Sequence, residues 1–491
     1  MLKTNIPVLE RDFVQQLDKQ QLVDIVLEQN QSMRTMWTQL SSFHDEILGL
    51  QSKVAALEKN STNSSKPPSS DMPGSGSAAG KSGTTPTSHH RNSRTSSNRP
   101  SGGQPGHQGS TRELVDNPDT VIVAAPATCD WCGKHFTDMA TDEVIARSQI
   151  VDIPPIAPVV TEYQAIARTC RCGHTTKGQL PPEAGCSGTV QIGTNASSLL
   201  VYLNSAHHLP YARLQQMAAD LFKLPLSQGS IANKLEQAAL TATPLKQAIL
   251  DVLHQSSRVG SDETGVRVAG RRIWEWVWQN AQASYYVISK HRDYQTVADH
   301  FGEHYDGCLI HDCYSAQNNT KACWHQLCHA HLLRDLQFVL ETERSVWAYR
   351  LQGFLIRSQR AREHIWEPGF DPSRRERVID YYYQQLEQFV TQKLNTKEAI
   401  RIQKRFRKHE DKILYFMTTL DIPPDNNGSE RAIRNAKVKQ KVSGGYRSMR
   451  GAERQAVLLS VIETAKKQRL NVLETIQQLV AGETVVLFGG E

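Results

Sequence analysis

Apolar residues near the start of the chain fall at 33, 36, 40, 43, 47, 50, 54 and 57, an unbroken alternation of three and four. Met33, Leu40, Ile47 and Val54 take one heptad position, and Met36, Phe43, Leu50 and Leu57 the other. Such a seam buries itself best against a second helix, so residues 1–58 are expected to form a helical, coiled-coil segment that self-associates. An amphipathic helix packed on its own chain gives the same pattern. Periodicity stops at 59–112, a stretch of Ser, Gly, Pro, Asn and Thr with scattered cations. It cannot bury enough surface to offset its ordering entropy and reads as a disordered basic linker. Its Lys66, Lys81, Arg91, Arg94, Arg99 and Arg112 either lie along phosphates or are a solvated tether's charges. Short β-type runs, TVIVAAP and SQIVDIP, mark 113–190. Helical periodicity covers 191–252, and strand-like runs dominate 253–320 around one helix near 294–302. Helix returns over 321–424 and 425–470, followed by a tail at 471–491.

Within the 191–252 module, Leu214, Met217, Ala218, Leu221 and Phe222 form one helical stripe, broken at Lys223-Leu224-Pro225-Leu226. Ser227 then caps a second helix, with Ile231 and Leu235 facing inward. Two helices and a short turn fit a DNA-reading helix-turn-helix (HTH), with Asn233 and Lys234 as its readers. Two ordinary packed helices fit equally.

Composition narrows the classes. A net charge of +6 over 491 residues permits nucleic-acid binding without demanding it. No apolar run is long enough for a membrane span, and MLKTNIPVLERDF lacks the apolar core of a secretion signal. Nine unevenly spaced cysteines argue against a disulfide framework and for a reducing cytoplasm. Cys129-Asp-Trp-Cys132-Gly and Cys170-Arg-Cys172-Gly-His174 have the look of knuckles. If each pair tips a hairpin, four thiolates close a structural zinc site, with His174 as an alternative ligand. The glycine after each pair frees the backbone to turn. Cys186, Cys308, Cys313, Cys323 and Cys328 show no pairing and read as core or neutral.

The acids carry the chemistry. Asp262 ends a short strand-like run, and two further extended stretches, RRIWEWVWQN and ASYYVISKH, follow it. After a helix, the apolar run Cys308 to Ile310 delivers Asp312. Three strands, a helix and a strand match an RNase H-like sheet, in which strands one and four are neighbours and their aspartates face each other. Glu430 falls in the first turn of a later helix, and Glu430, Arg434, Lys437 and Lys441 share one helical face. Beyond it, Gly444 to Gly451 is a basic turn carrying Arg447 and Arg450. Acids that hold metal beside cations that hold phosphodiesters are what strand cutting needs. Capping aspartates and a solvated basic face are the plainer alternative. Glu263, adjacent to Asp262, is expected to point away and serve the structure.

The chain resembles the insertion sequence 66 family of bacterial DDE transposases. The resemblance rests on Asn63 to Asp71, Gly103 to Gly109, both cysteine knuckles, Asp262-Glu263-Thr264, Asp312, Asn426-Asn427 to Glu430-Arg431, and Cys328 to Asp335. It departs from the family where His329 and His331 replace one histidine followed by arginines, and where Cys170 and Cys172 stand closer than usual. The resemblance implies an α/β RNase H-like catalytic core with a large helical insertion, preceded by a coiled coil, a zinc-ribbon-like module and an HTH-like module. It implies a transposase whose Asp262, Asp312 and Glu430 hold Mg²⁺ or Mn²⁺ while strands are cut and joined. Element terminal repeats, target DNA and accessory transposition proteins would be the partners, in a bacterial cytoplasm at the nucleoid. Arg431, Arg434, Lys437, Lys441, Arg447, Arg450, His329 and His331 are the candidate DNA contacts. Trp347, Trp366 and Tyr381 to Tyr383 either fill the core or stack on bases. A non-catalytic regulator, a purely hydrolytic nuclease and an inactive relic are the competing readings.

Overall fold

A computed structural model describes residues 18–57, 106, 112–136, 143–181 and 190–489. The linker signature Asn63 to Asp71, most of Gly103 to Gly109, the cations Lys66, Lys81, Arg91, Arg94 and Arg99, and Cys186 lie outside the described residues. The chain divides into two compact units, one of residues 91–236 and one of residues 1–90 with 237–491.

Helix α1 (Lys19–Leu57) carries the heptad seam. Asp18 accepts from the Gln20 and Gln21 backbone N–H groups, and Gln21 reaches back to the Asp18 N–H. This reciprocal cap fixes the helix start. Met33, Met36, Leu40, Phe43, Ile47, Leu50 and Val54 remain exposed in the single chain.

In the 91–236 unit, β1 (Ala167–Thr169) and β2 (Thr175–Lys177) form a hairpin. Cys170 and Cys172 stand at its tip, where the Cys170 N–H donates to His174 O and Gly173 takes φ +85°. Cys129 and Cys132 occupy a similar turn, closed by a Thr128–His135 bridge with Gly133 at φ +70°. Both glycines are thus where the backbone needs a left-handed residue. The runs TVIVAAP and SQIVDIP, expected as strands, are not strands. Among the described residues neither run has a ladder partner, and Ile122 and Ile150 are exposed. Helices α2 (Thr194–Ser205) and α3 (Tyr211–Phe222) follow, and α4 (Gln228–His254) crosses into the other unit. Lys223 ends α3 in a left-handed cap, and Ser227 Oγ accepts from the Ser230 N–H. Leu214, Ala218, Ile231 and Leu235 are buried as the stripe implied, but Leu221 is exposed.

The larger unit is built on a five-stranded sheet of order β5-β4-β3-β6-β7. Its strands are β3 (Arg258–Val268), β4 (Arg271–Gln279), β5 (Ser284–Ser289), β6 (His304–His311) and β7 (Lys321–Leu327). The first three are antiparallel, and β3, β6 and β7 run parallel, joined through α5 (Tyr294–His300) and α6 (Ser315–Asn318). Strands one and four are therefore neighbours, as expected. Asp262 does not end its strand: β3 continues past it to Val268, where Ala269 and Gly270, both with positive φ, make a two-residue hairpin into β4. Residues 321–327 form an edge strand rather than the helix expected there, and most of its side chains are unburied, so its sequence carries little apolar signal.

One face of the sheet packs on α11 (Asn427–Ser443) and α12 (Met449–Lys467), with Val266, Val277, Tyr286, Ile433, Ala436 and Leu459 in a shared core. A second core joins Cys308, Ile310 and Leu327 of the sheet to α7 (His329–Glu343), α8 (Val346–Ile365), α9 (Pro372–Thr391) and α10 (Lys397–Lys408). Trp347 is buried in it, with its indole donating to Phe389 O, while Trp366, Tyr382 and Tyr383 pack against it. Tyr381 is exposed. Within the final segment, Asn471 caps α13 (Val472–Ala481), which buries Ile476 and Leu479.

Glu275 on β4 is buried, and the Tyr446 hydroxyl stands 3.5 Å from it. Burial pushes its carboxyl from 4.5 up to about 7, against the pull of Tyr446 and Lys437. The folded state holds this proton more tightly than the unfolded chain. Its cost is therefore absent at low pH and grows as pH rises from 4.5 to about 7. Glu275→Gln is expected to match the parent's stability near the bottom of that window and to exceed it by up to ~3 kcal/mol above it. Urea unfolding at several pH values tests this; a difference that does not change with pH contradicts it.

Candidate functional site

Parallel pairing of β3 with β6 sets Gly260 opposite Ile310. Two residues further along each segment stand Asp262 and Asp312, so the register itself brings the two aspartates alongside each other. Each carboxylate takes a local N–H: Asp262 from Glu263 at 2.8 Å, Asp312 from Tyr314 at 3.1 Å. The Asp262 carboxyl is held well above the usual range, by burial first and then by Glu263, Asp312 and Glu430. Three acids thus act on a fourth. Glu263 is tied off by Arg292, at 2.8 and 2.5 Å, and by Gln317 at 2.6 Å. Burial and Asp312 still push it up to about 7, against the Arg292 charge. Arg292 is itself stacked on the rings of Trp274 and Tyr314.

Glu430 reaches this cluster because the start of α11 is lashed to β3. Asn426 donates to Ser261 O at 2.7 Å, and Ser429 Oγ donates to Asn426 Oδ1 at 2.6 Å. Gln279 Nε2 donates to Ser429 Oγ at 3.2 Å, and Lys467 Nζ donates to Gln279 Oε1 at 2.8 Å. Lys467 also serves the carbonyls of Asn280 and Ala283, and burial brings its ammonium down to about 7. Glu430 accepts from Arg334 at 3.3 Å and lies 3.7 Å from His331 Nδ1. A cleft of about 570 Å³ flanks this chain of bonds, with Arg258, Asn426, Arg431 and Lys467 among its lining; none of the three acids lines it.

The basic residues separate by environment. Arg431, Arg434, Lys441, Arg447 and Arg450 are exposed. Lys437 donates to Gly265 O at 2.9 Å and belongs partly to the sheet. His331 is largely covered, and burial and Arg334 push its ring down despite Asp312 and Glu430. His329, expected to contact DNA, does not: it is buried, with Nε2 2.8 Å from Ile413 O and Gln359 at 3.1 Å from Nδ1. A ring with both nitrogens engaged inside the core has none left for phosphate.

Among the described residues, the group whose ligand atoms all lie within 4.8 Å of one another is Cys328, His331 and Glu430. Asp262, Asp312 and Glu430 are not drawn together that closely, nor are Cys129, Cys132, Cys170 and Cys172. Each cysteine pair nonetheless has one thiol held below its ordinary range. Backbone N–H groups of Cys132 and Trp131 lower the Cys129 thiol, and that of Cys172 lowers Cys170.

Residues 189–454, more than half of the chain, match the family model described as Transposase IS66 family. The chain belongs to the IS66 transposase family. Comparison with curated proteins gives no match. No helix among the described residues is long and apolar enough to cross a membrane.

For this transposase, several residues that shape the site carried no role in the sequence. Arg334 shares a helix face with His331 at spacing three, and that spacing was available as a signal. Arg292 lay unmarked in a loop. Gln279 and Lys467 are far apart in the chain, and only folding joins them to Asn426.

Gly260 is where β3 and the start of α11 come close. A Cβ there would meet Asn426 Oδ1 and Ser429 Oγ at 2.5 Å. Gly260→Ala is expected to lower stability by ~1–3 kcal/mol through overpacking. Urea unfolding measures it, and a change within ~0.5 kcal/mol would mean that the start of α11 shifts freely.

Proposed function

We propose that this transposase cuts and joins DNA at the ends of an insertion sequence, with Asp262, Asp312 and Glu430 holding Mg²⁺ or Mn²⁺. The observation that carries the reading is the accumulation of acids on Asp262, whose carboxyl is pushed up by Glu263, Asp312 and Glu430 together. Arg292 neutralises Glu263 and Arg334 meets Glu430, which leaves the two aspartates as the part of the cluster in need of a cation. Oxygen donors of this kind suit a hard divalent ion. The strand order, with acids on adjacent parallel strands, supports an RNase H-like core. Bound there, the metal would supply charge stabilisation and activate water or a 3′ hydroxyl. No covalent protein intermediate is required.

The chain's own groups do the remaining work. Asn426 and Ser429 hold Glu430 at the cluster. Exposed Arg431, Arg434, Lys441, Arg447 and Arg450 offer charge to the phosphodiester backbone of terminal repeats and target, Lys437 adds to that field, and His331 faces the acids. We assign Cys129, Cys132, Cys170 and Cys172 to a structural zinc, supported by their glycine-closed turns and N–H donors. The exposed seam of α1 supports self-association through a coiled coil. The helix pair α3 and α4, with exposed Asn233, supports an HTH-like DNA contact. Accessory transposition proteins and residence at the nucleoid complete the proposal.

Strand transfer with purified protein, labelled element ends and Mg²⁺ tests the reading. Wild type should yield joined products, and Asp312→Ala should lose activity by at least about 10²-fold while still binding DNA. Nicking without joining removes the transfer step from the proposal, and equal activity of the two proteins removes the triad.

A further inference from the structure

Cys328 and His331 open helix α7, and their spacing sets both side chains at its first turn. Cys328 is buried, and its Sγ accepts the Asn426 N–H at 3.2 Å. His331 Nδ1 is a buried polar atom without a hydrogen-bond partner, aimed at Glu430 Oε1 3.7 Å away. Buried polar atoms are nearly always satisfied, so an orphan facing a carboxylate and a sulfur calls for a ligand. The three ligand atoms lie within 4.8 Å of one another. Around a tetrahedral zinc, ligand atoms stand about 3.5 Å apart, so side-chain shifts of ~1 Å close the set.

We propose that Cys328, His331 and Glu430 form a second metal site, selective for a thiophilic divalent cation of the zinc class, and that filling it withdraws Glu430 from the magnesium set and stops strand transfer. Sulfur, imidazole and carboxylate together favour Zn²⁺ over Mg²⁺. On binding, a bond forms between metal and Sγ, and the thiol proton leaves to solvent. Sulfur bonds strongly to a thiophilic ion and weakly to a hard one, so only the former displaces that proton. Arg334, 3.3 Å from Glu430, is the charge that must swing aside as the cation enters. Three protein ligands leave a fourth position open. The inhibitory half rests on Glu430 belonging to the proposed catalytic set; the site itself does not.

The test uses the full chain, stripped of metal and titrated with Co²⁺ alone, whose charge-transfer band reports thiolate ligation. The cysteine knuckles also take cobalt, so wild type is compared with Cys328→Ser and with His331→Gln, which leaves every sulfur in place. Wild type should bind one more Co²⁺ than Cys328→Ser, and His331→Gln should bind that ion roughly ten- to a hundredfold more weakly. At fixed Mg²⁺, Zn²⁺ should inhibit wild-type strand transfer at concentrations to which Cys328→Ser, scored against its own zinc-free rate, is resistant. Equal cobalt binding by all three proteins overturns the site. An extra cobalt with equal zinc sensitivity overturns the switch. Absence of strand transfer by wild type in Mg²⁺ alone counts against the transposition reading, and the cobalt comparison still decides the site.

Discussion

The start of helix α11 sits against strand β3 at Gly260, where a Cβ would crowd the side chains of Asn426, Ser429 and Gln279. Gly260 lets Asn426 and Ser429 come within bonding distance of the strand, and the Asn426 amide then grips Ser261 O, one residue before Asp262. Ser429, whose hydroxyl closes the grip, is one residue before Glu430. The two acids from opposite ends of the core are therefore indexed to each other by a contact that touches neither. Gln279 and Lys467 brace that contact from behind, with Lys467 donating to Gln279 and to the carbonyls of the β4–β5 turn. The close approach is what turns a sheet and a helix into a site.

Once those elements meet, electrostatics follows. Packing Asp262, Glu263, Asp312 and Glu430 together sets like charges against each other, and Asp262 registers it, together with burial, as a carboxyl held well above its usual range. The chain answers part of the charge itself, with Arg292 on Glu263 and Arg334 on Glu430. The remainder is a standing demand for cations. The same crowding places a sulfur and an unpartnered imidazole beside Glu430, so one carboxylate faces both a hard-ligand set and a soft one. In the proposed scheme, the cation that arrives decides which set Glu430 joins.

Much of the candidate site was legible in the residues because its elements are locally encoded. Asp312 was placed correctly at the end of a strand, since Cys308 to Ile310 is an apolar run that stops there. Asp262 was placed on the right strand but at the wrong point, because the β3–β4 turn is written in Ala269-Gly270, a weaker signal than the Ser and Gly before Asp262. His329 and His331 look alike in the chain, yet one is sealed in the core against Ile413 O and the other faces the acids. Helical phase at the first turn of α7 separates them, and two residues of sequence cannot express it without knowing which side the sheet lies on.

Local patterning determined the heptad helix α1, the order of the first four strands in the core and the glycines that close both cysteine turns, and it singled out the three candidate acids. These depend on side-chain period, turn preference and chain order, all of which are properties of neighbouring residues. Tertiary structure alone decided that 321–327 joins the sheet as an edge, that TVIVAAP forms no strand among the described residues, and that Gln279 and Lys467 support a helix far away in the chain. It alone assembled Cys328, His331 and Glu430. Those outcomes depend on which distant surfaces meet, because hydrogen bonds and buried charges act over a few ångströms of space and take no account of separation along the chain.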